Sequence, residues 1–374
     1  MRALWSPTSW LPATKLALLF AVIAALGLTT GCSKMTVLPT DLSDPVRLPR
    51  LADAPPDARA IEVTFFGNST LLFSDGKTSL MVDGYLSRPN LFEVVLTRLS
   101  PNPKIIKKHL RKASISRLDA VVVAHSHYDH VMDAATVAKL TKATLVGTVD
   151  TCRVAEAQAR VPDSGFEFGD CERLVSEARP EASPPGAVPF ELLRDDRVWA
   201  RGDFKLTAYH SAHGKYGWEC LDNALKGNVT EAFTAPAHAL SFKEGISYTL
   251  HIEHPIASFI VQTSAGLSLD ARLTKPADFV FLTTALVDKM SAEDRNAYWD
   301  TFVTQRKRQK SPIHVIPIHW DSLFEKLDQK LEPLPDWITD QSNTKAYLEG
   351  RANADDETSL IWMDAYSRLR VERE

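Results

Sequence analysis

A continuous apolar run followed at once by a cluster of histidines is the feature that most constrains this chain. The run covers residues 120–124, and the cluster reads His125-Ser126-His127-Tyr128-Asp129-His130. An unbroken apolar run is typical of a strand that is buried on both faces by helices or a second sheet. Imidazole and carboxylate groups are ligands that suit zinc, iron or manganese. We therefore expect an α/β domain with a metal site where this strand ends.

The N-terminal residues have the order of a secretory signal. Arg2 and Lys15 precede the apolar run Leu16–Leu28, which is followed by Thr29-Thr30-Gly31-Cys32. A helix over that run rises about 20 Å, short of the roughly 30 Å hydrocarbon layer of a membrane. The sequence therefore predicts a signal peptide over residues 1–31. An uncleaved N-terminal anchor is the alternative.

The Gly31-Cys32 junction resembles a bacterial lipobox. The resemblance implies that Cys32 is lipidated and becomes the first residue of an exported lipoprotein, anchored at the periplasmic face or the cell surface. Residues 36–60 are rich in Pro, Asp and Arg without sustained periodicity, so we assign residues 32–60 to the lipidated N-terminus and a linker.

Composition limits the class of protein and of partner. The 374 residues are 44% hydrophobic and 24% charged, which is typical of a globular chain. The formal net charge of −4 provides no global basic field, so nucleic acid is not the expected partner. After export, Cys152 and Cys171 are the nearest pair for one disulfide, leaving Cys220 over. Three buried, unreactive thiols are the alternative.

Residues 61–374 are assigned to a single domain. Short strand-like runs separated by turn residues open it, and helices and further strands follow. The predicted strands are Ile61–Phe66, Thr70–Phe73, Ser79–Val82, Ala120–Ala124, Thr144–Gly147, Phe204–Tyr209, Ser247–Ile252, Ala257–Thr263, Phe279–Thr283 and Ile313–Ile318. The predicted helices are Pro103–Lys112, Val131–Ala143 and Ala292–Lys310, and Pro180–Pro189 is a predicted loop.

Two other groups of residues are interpreted without a function. The first is a basic stretch, for which a solvated helix face is favoured over contact with anionic lipid or substrate. The second consists of isolated histidines, which are interpreted as packing or surface residues. The stretch comprises Lys104, Lys107, Lys108, Arg111 and Lys112, and the histidines are His238, His251, His254 and His314.

The histidine cluster matches the H-x-H-x-D-H signature of the metallo-β-lactamase superfamily, which the chain resembles over about residues 61–325. Phe66-Gly67-Asn68-Ser69-Thr70-Leu71 and Leu80-Met81-Val82-Asp83-Gly84 are similar to the family's opening strands. His210-Ser211-Ala212-His213 resembles its third-ligand loop, and Ile316-Pro317-Ile318-His319-Trp320-Asp321 its C-terminal ligand strand. The resemblance implies an αββα four-layer sandwich of two mixed β-sheets flanked by helices.

The resemblance also implies a role for each matching residue. His125, His127 and His213 would bind a first metal ion, and Asp129, His130 and His319 a second. His210 competes with His213 for the third position, and the Ser-x-His ending favours His213. Asp83 would accept a hydrogen bond from a ligand imidazole and fix its tautomer. Asp129 would also be catalytic, because it can orient the attacking water and pass a proton to the leaving group.

One position departs from the family's pattern. The family usually has an aspartate that bridges both metals in a Gly-Asp-Thr-Gly-like turn, and this chain reads Gln262-Thr263-Ser264-Ala265-Gly266 there. A neutral hydroxyl at Ser264 is a weak ligand and does not offset the charge of a second ion. We therefore expect one zinc ion, or two of which the second is weaker. Asp270 follows too late to substitute without a rebuilt turn.

The expected function is metal-dependent hydrolysis of an ester, lactone or phosphodiester bond in a small or lipid-like molecule. Within the family, the Phe-x-Gly-Asn-x-Thr opening and the His-Trp-Asp ending are similar to lactonase-like and phospholipase D-like members. Hydrolysis of β-lactams stays open. The alternatives from other classes are a non-catalytic metal- or ligand-binding lipoprotein and an oxidoreductase with a pair of non-haem irons.

Overall fold

The computed structural model describes residues 46–47, 60–176, 186–309, 311–327 and 330–372. These residues lie within one compact unit that spans residues 41–374. The predicted signal peptide, Cys32 and most of the predicted linker lie outside the described residues. Within the described ranges, no helix has both the length and the apolar character needed to cross a membrane.

The first sheet has eight strands in the order β1-β15-β2-β3-β4-β5-β6-β7. Its strands are β1 (Val46–Arg47), β2 (Ala60–Phe65), β3 (Leu71–Ser74), β4 (Ser79–Val82), β5 (Ala120–Val122), β6 (Thr144–Gly147), β7 (Phe190–Leu192) and β15 (Arg368–Glu372). Strands β15, β2, β3 and β4 pair antiparallel. From β4 to β7 the pairing is parallel. The opening meander and the buried central strand that the sequence predicts are both present.

The second sheet has seven strands in the order β14-β13-β12-β11-β10-β9-β8. Its strands are β8 (Trp199–Arg201), β9 (Phe204–His210), β10 (Tyr248–Glu253), β11 (Ser258–Gln262), β12 (Phe279–Thr283), β13 (Ile313–Ile318) and β14 (Thr358–Leu360). Strands β8 to β11 pair antiparallel, whereas β11 to β14 pair parallel. Both sheets are therefore mixed, as expected.

Aromatic side chains join the two sheets face to face. The ring of Phe73 on β3 lies 5.2 Å from that of Phe259 on β11 and 5.7 Å from that of Phe281 on β12. All three rings are fully buried in edge-to-face or tilted arrangements. Burial of each such side chain contributes about 1.5–3 kcal/mol. The core thus lies between the sheets.

Helices cover the outer sides of this pair of sheets. The helices are α1 (Leu91–Leu96), α2 (Pro103–Lys112), α3 (Tyr128–Val131), α4 (Ala134–Thr141), α5 (Val149–Ala159), α6 (Cys171–Ser176), α7 (Glu219–Leu225), α8 (Ala292–Phe302) and α9 (Gln341–Asn353). Helix α4 packs on β5 and β6. Tyr298 of α8 donates a hydrogen bond to the carbonyl of Thr283 at the end of β12. The αββα sandwich that the family resemblance implies is confirmed.

Two predicted helices are shorter in the structure. The predicted helix Val131–Ala143 corresponds to α4, Ala134–Thr141, while the preceding α3 begins at Tyr128 and ends at Val131. Asp133 lies between them and accepts the backbone N–H groups of Leu86 and Ser87. The predicted helix Ala292–Lys310 ends at Phe302 and continues as a short 3₁₀ turn. The guanidinium of Arg306 in that turn is buried and donates to the carbonyl of Leu273.

Two strands that the sequence did not predict, β1 and β15, extend the first sheet beyond β2. Val46–Arg47, within the predicted linker, forms a strand parallel to β15, and β15 pairs with β2. Residues 180–185 of the predicted loop lie outside the described part. Ala187 bridges to Glu167, and β7 begins at Phe190.

A disulfide joins Cys152 of α5 to Cys171 of α6, and Cys220 is free and exposed. Of the two alternatives for the cysteines, the structure therefore contains the bridge between the nearest pair. The disulfide connects the layer on β6 to the segment that leads into β7.

Candidate metal centre

The candidate ligands all follow the carboxyl ends of strands. Asp83 follows β4, the cluster 125–130 follows β5, His213 follows β9 and His319 follows β13. Two of these strands belong to the first sheet and two to the second. Residues far apart in the chain therefore meet at one edge of the sandwich.

The first group consists of His125, His127 and His213. One nitrogen from each ring lies within 4.8 Å of the others, a spacing that a single cation can bridge. The ring of His213 lies 5.0 Å from that of His125 and 4.4 Å from that of His127. His210, the competing third ligand, is not in this group, since its Nε2 lies 3.8 Å from a carboxylate oxygen of Asp195.

The histidines of the first group are in the neutral form that binds a cation. Burial lowers the pKa of His125 and His127 well below the usual value and lowers that of His213 to about 4. The rings are therefore neutral at pH 7. Among the described residues, Nε2 of His125 and of His127 has no hydrogen-bond partner although it is buried. A buried, unpaired nitrogen is costly unless a ligand or ion satisfies it.

Backbone contacts hold the third histidine in a defined tautomer. Nδ1 of His213 donates to the carbonyl of Gly214 at 2.7 Å, which leaves Nε2 for a metal. The turn after β11 packs closely against the loop that carries His213. A Cβ on Gly266 would overlap the carbonyl of Ala212, so only glycine fits there.

The second group consists of Asp129, His130 and His319, whose ligand atoms also lie within 4.8 Å of one another. Oδ2 of Asp129 lies 3.3 Å from Nε2 of His130 and 3.2 Å from Nε2 of His319. The ring of His130 is 3.8 Å from that of His125, centre to centre. The two groups are therefore adjacent, as a two-metal centre requires.

Asp83 lies behind His130 as the sequence analysis expects. Its Oδ2 is 2.7 Å from Nδ1 of His130, and Ser69 Oγ donates to the same oxygen at 2.5 Å. Its Oδ1 accepts the N–H of Ala124 at 3.0 Å, which ties the carboxylate to the end of β5. This arrangement places a proton on Nδ1 and leaves Nε2 toward Asp129.

In the second group, the carboxylates and imidazoles shift each other's pKa. Burial disfavours the charged forms, but Asp129 and Asp83 outweigh it and raise the pKa of His130 to about 10. Burial likewise opposes ionisation of Asp129, yet His130 and His319 hold its pKa well below the usual value. Without a cation, the pair is therefore an imidazolium beside a carboxylate, and an ion would replace the ring's proton.

A buried ion pair that the sequence analysis missed supports this edge. Arg88 and Asp321 are fully buried and lie 2.5 Å apart, Nη2 to Oδ2. Asp321 Oδ1 accepts the N–H of Asn68, whose carbonyl accepts the N–H of His319. Asn68 Nδ2 donates to the carbonyl of Asp129 at 2.7 Å. The Asp321 in the His-Trp-Asp ending was a signal for this network, whereas nothing in the sequence marked Arg88.

The position of the usual bridging aspartate supplies no charged ligand. Ser264 Oγ accepts the N–H of Gly214 at 3.1 Å and so serves the loop of His213. Asp270 forms an ion pair with Arg272. Thr263, the residue before Ser264, has its Oγ1 3.4 Å from Nδ1 of His125. The second group therefore keeps one carboxylate, Asp129.

A third cluster lies at hairpin turns, away from this edge. Asp75, Asp203 and His254 offer atoms within 4.8 Å of one another. Nδ1 of His254 accepts the N–H of Ile256, so the proton is on Nε2, which faces Asp75 Oδ2 at 3.5 Å. This arrangement fits a histidine–aspartate contact that holds two turns together rather than a metal site.

A cavity of about 390 Å³ opens beside the first group and is lined by His127 and His213. Its walls combine apolar with charged side chains. The apolar lining includes Leu225, Ile246 and Leu269, and the charged lining includes Lys215, Lys226, Asp222 and Glu244. Tyr216 also lines the cavity and stacks on His213, ring centre to ring centre 6.1 Å. A small molecule can therefore reach the first group directly.

The donor set fits a transition-metal ion. Neutral imidazoles with unpaired nitrogens, a carboxylate and a supporting second layer are the features of protein zinc sites. The family model of the metallo-beta-lactamase superfamily matches residues 63–218, which include five of the six candidate ligands. His319 lies beyond the matched part.

Curated relatives share this segment. A UPF0173 metal-dependent hydrolase of Anaeromyxobacter sp. (strain K) is 33% identical over 90 residues, 24% of this chain and 27% of that protein. One from Pyrobaculum islandicum is 30% identical over 97 residues, 26% of this chain and 36% of that protein. The matches thus span about a quarter to a third of the relatives' length.

Among solved structures, the chain is similar to Igni18, a metallo hydrolase from the archaeon Ignicoccus hospitalis. The identity is 13% and the TM-score 0.46, with 84% of this chain and 100% of that chain covered. The matched segment carries the H-x-H-x-D-H cluster and His213, and the fold is two mixed sheets between helices. Residues 63–218 of the chain therefore match the metallo-β-lactamase superfamily.

Proposed function

We propose that the chain is a zinc-dependent hydrolase that cleaves an ester, lactone or phosphodiester bond. The observation that carries the proposal is the convergence of His125, His127 and His213, with two buried Nε2 atoms unpaired among the described residues. Three neutral imidazoles suit zinc and leave a fourth position open for water or substrate. The cavity beside them admits a small molecule.

The two groups differ in the ion they would hold. The first group is neutral and unpaired, so an ion enters without displacing a proton. The second group is already neutralised internally by His130 and Asp129, and it lacks the bridging carboxylate. We infer one tightly held ion and a second that is weaker and exchangeable.

The proposed mechanism uses Asp129 as the proton-handling residue. A bound zinc ion would supply a water with a pKa of about 7 and would polarise the bond under attack. Oδ2 of Asp129 is oriented by His319 at 3.2 Å, and its backbone carbonyl accepts from Asn68. From this fixed position the carboxylate can orient the attacking water and pass its proton to the leaving group.

We further propose that the protein is an exported lipoprotein, lipidated at Cys32, that acts on a small or lipid-like molecule. The disulfide between Cys152 and Cys171 supports export, because disulfides persist in oxidising compartments. The charged and apolar lining of the cavity suits an amphipathic molecule.

The test is turnover by the chain without residues 1–32, in zinc-loaded and chelator-treated forms. Esters, lactones, phosphodiesters and β-lactams form the panel of candidate molecules. We expect zinc-dependent hydrolysis that Asp129→Asn lowers about 100-fold or more, the range for loss of a general acid–base group. His238→Ala, an exposed histidine outside the site, is the control. Full zinc content without turnover would favour a non-catalytic metal-binding lipoprotein.

A further inference from the structure

Helix α1 presents apolar side chains to solvent. None of its six residues is buried, and Phe92 and Leu96 are 74% and 70% exposed. A capping box between Asn90 and Glu93 holds the start of the helix. So short a helix gains little from its own hydrogen bonds, and apolar helices ordinarily gain stability by burying a face. The local capping here keeps a helix formed with its apolar side chains outward.

A basic face follows directly. Residues 91–118 contain seven Arg and Lys against one acidic residue, Glu93, in a chain of net charge −4. On α2, Ile106 and Leu110 are buried while the basic residues on the other side are exposed. Lys104, Lys107 and Arg111 are spaced along one face of this helix, and none of the three has an ion pair within the described ranges.

These helices lie near the metal centre. Helix α1 begins three residues after Arg88, whose guanidinium pairs with Asp321. Asp321 is two residues from His319 in the chain. The N–H of Asn102, the N-cap of α2, donates to Ser87 Oγ, which in turn donates to Asp133. Both helices therefore start at the edge of the sandwich that holds the candidate ligands.

We propose that Phe92, Leu96, Lys104, Lys107 and Arg111 form a docking surface, here called the α1–α2 surface, for a membrane that contains anionic lipid. Apolar side chains that project singly from a short helix can enter a fluid hydrocarbon layer, which adapts to their shape. The neighbouring cations meet lipid phosphates, and each contributes about fivefold to the partition coefficient. The proposal goes beyond hydrolysis and does not depend on the metal. Docking through this surface would hold the edge of the sandwich that carries the candidate ligands close to the lipid.

The test is co-sedimentation with vesicles of phosphatidylcholine alone or with part of it replaced by phosphatidylglycerol. The protein is the chain without residues 1–32, because the compact unit spans residues 41–374 and a lipidated Cys32 would bind by itself. The variants are Phe92→Ser with Leu96→Ser, and Lys104→Glu with Lys107→Glu. Val198→Ser is the apolar control, since Val198 is 49% exposed and does not line the cavity beside the metal centre. Lys77→Glu with Lys205→Glu is the charge control, as both lysines are exposed elsewhere.

We expect binding to the anionic vesicles that falls about tenfold or more in each α1–α2 double variant and stays within twofold in the controls. Added salt should weaken it, because screening shortens the reach of the lysines. The exchanged residues are exposed, so the melting temperatures should match and folding does not confuse the result. Absence of binding, or equal binding by variants and controls, would overturn the proposal. Self-association that Phe92→Ser with Leu96→Ser abolishes, without vesicle binding, would overturn it in favour of a second copy.

Discussion

Single residues decide how the candidate centre handles protons. His125 and His127 are buried, His213 is partly buried and all three are neutral, whereas His130 is held between two carboxylates. A cation therefore binds to free lone pairs in the first group and replaces a proton in the second. Both groups contain histidines, but their surroundings lower the pKa of His125, His127 and His213 and raise that of His130.

This difference predicts a pH dependence that separates the two ions. The pKa of His130 is raised to about 10, so below that pH an ion must displace its proton. Zinc affinity of the second group should rise about tenfold per pH unit between about pH 6 and about pH 9. The pKa of His213 is lowered to about 4, so the first group should change little over that range. Competition with a chelator at several pH values measures both affinities, and equal slopes would contradict the assignment.

Asp83→Asn tests the carboxylate behind His130. We expect the affinity for the second ion to fall about 10–100-fold, because an amide orients the imidazole but does not increase its basicity. Asn tolerates the left-handed backbone of Asp83, whose φ is 59°, so the fold should persist. Asp119→Asn is the matched control, since Asp119 accepts the N–H of Ser79 away from the site. An equal loss of zinc in both variants would remove the role of Asp83.

At the scale of elements, a turn after β2 depends on the absence of a side chain. Gly67 has φ of 83°, and a Cβ there would lie 2.5 Å from Arg88 Nη2 and 2.7 Å from Asp321 Oδ2. The buried ion pair thus needs the space above this glycine. Displacing Arg88 and Asp321 would also move Asn68, because Asp321 accepts the backbone N–H of Asn68.

Gly67→Ala should therefore cost more than backbone strain alone. The left-handed φ costs about 1–2 kcal/mol, and crowding of the ion pair adds about 1–3 kcal/mol. Gly165→Ala is the matched control, because Gly165 has φ of 78° and open space around its Cβ. Urea unfolding of both variants gives the difference in the free energy of unfolding. A loss for Gly67→Ala no greater than for Gly165→Ala would show that the ion pair adapts freely.

Elements with a strong local signal could be predicted from sequence. Helix α2 has the predicted bounds Pro103–Lys112, because Asn102 caps it and its buried residues recur at helical spacing. Strand β15 was missed, since Arg-Leu-Arg-Val-Glu is short and its partner β2 lies about 300 residues earlier. Pairings of that range follow from the closed fold and leave no local pattern.

For the whole molecule, the disulfide ties the outer helices α5 and α6 together. The bridge spans 19 residues, a loop whose closure stabilises a fold by about 3 kcal/mol through the unfolded chain. Reduction, or Cys152→Ser with Cys171→Ser, should lower the free energy of unfolding by that amount. Cys220→Ser should leave it unchanged, because Cys220 is free and exposed. Equal stability of reduced and oxidised protein would contradict the bridge.

The candidate centre itself was partly visible in the sequence. The cluster 125–130 marks it, and the family resemblance brought His213, His319 and Asp83 to it. The residues that hold these ligands in place, Arg88 above all, gave no signal, because their partners are distant in the chain and chosen by the packing of two sheets. Ser264 was identified as neutral, but only the structure shows its hydroxyl bound to Gly214.

We infer that histidines from distant strands hold one ion. Elemental analysis of the purified chain, of His127→Ala, His213→Ala and His319→Ala, and of His210→Ala as the control, tests it most directly. We predict that His127→Ala and His213→Ala lose the tightly held ion, that His319→Ala keeps it while losing any second ion, and that His210→Ala matches the native chain. Equal metal content in all five proteins would show that these histidines do not hold the ion.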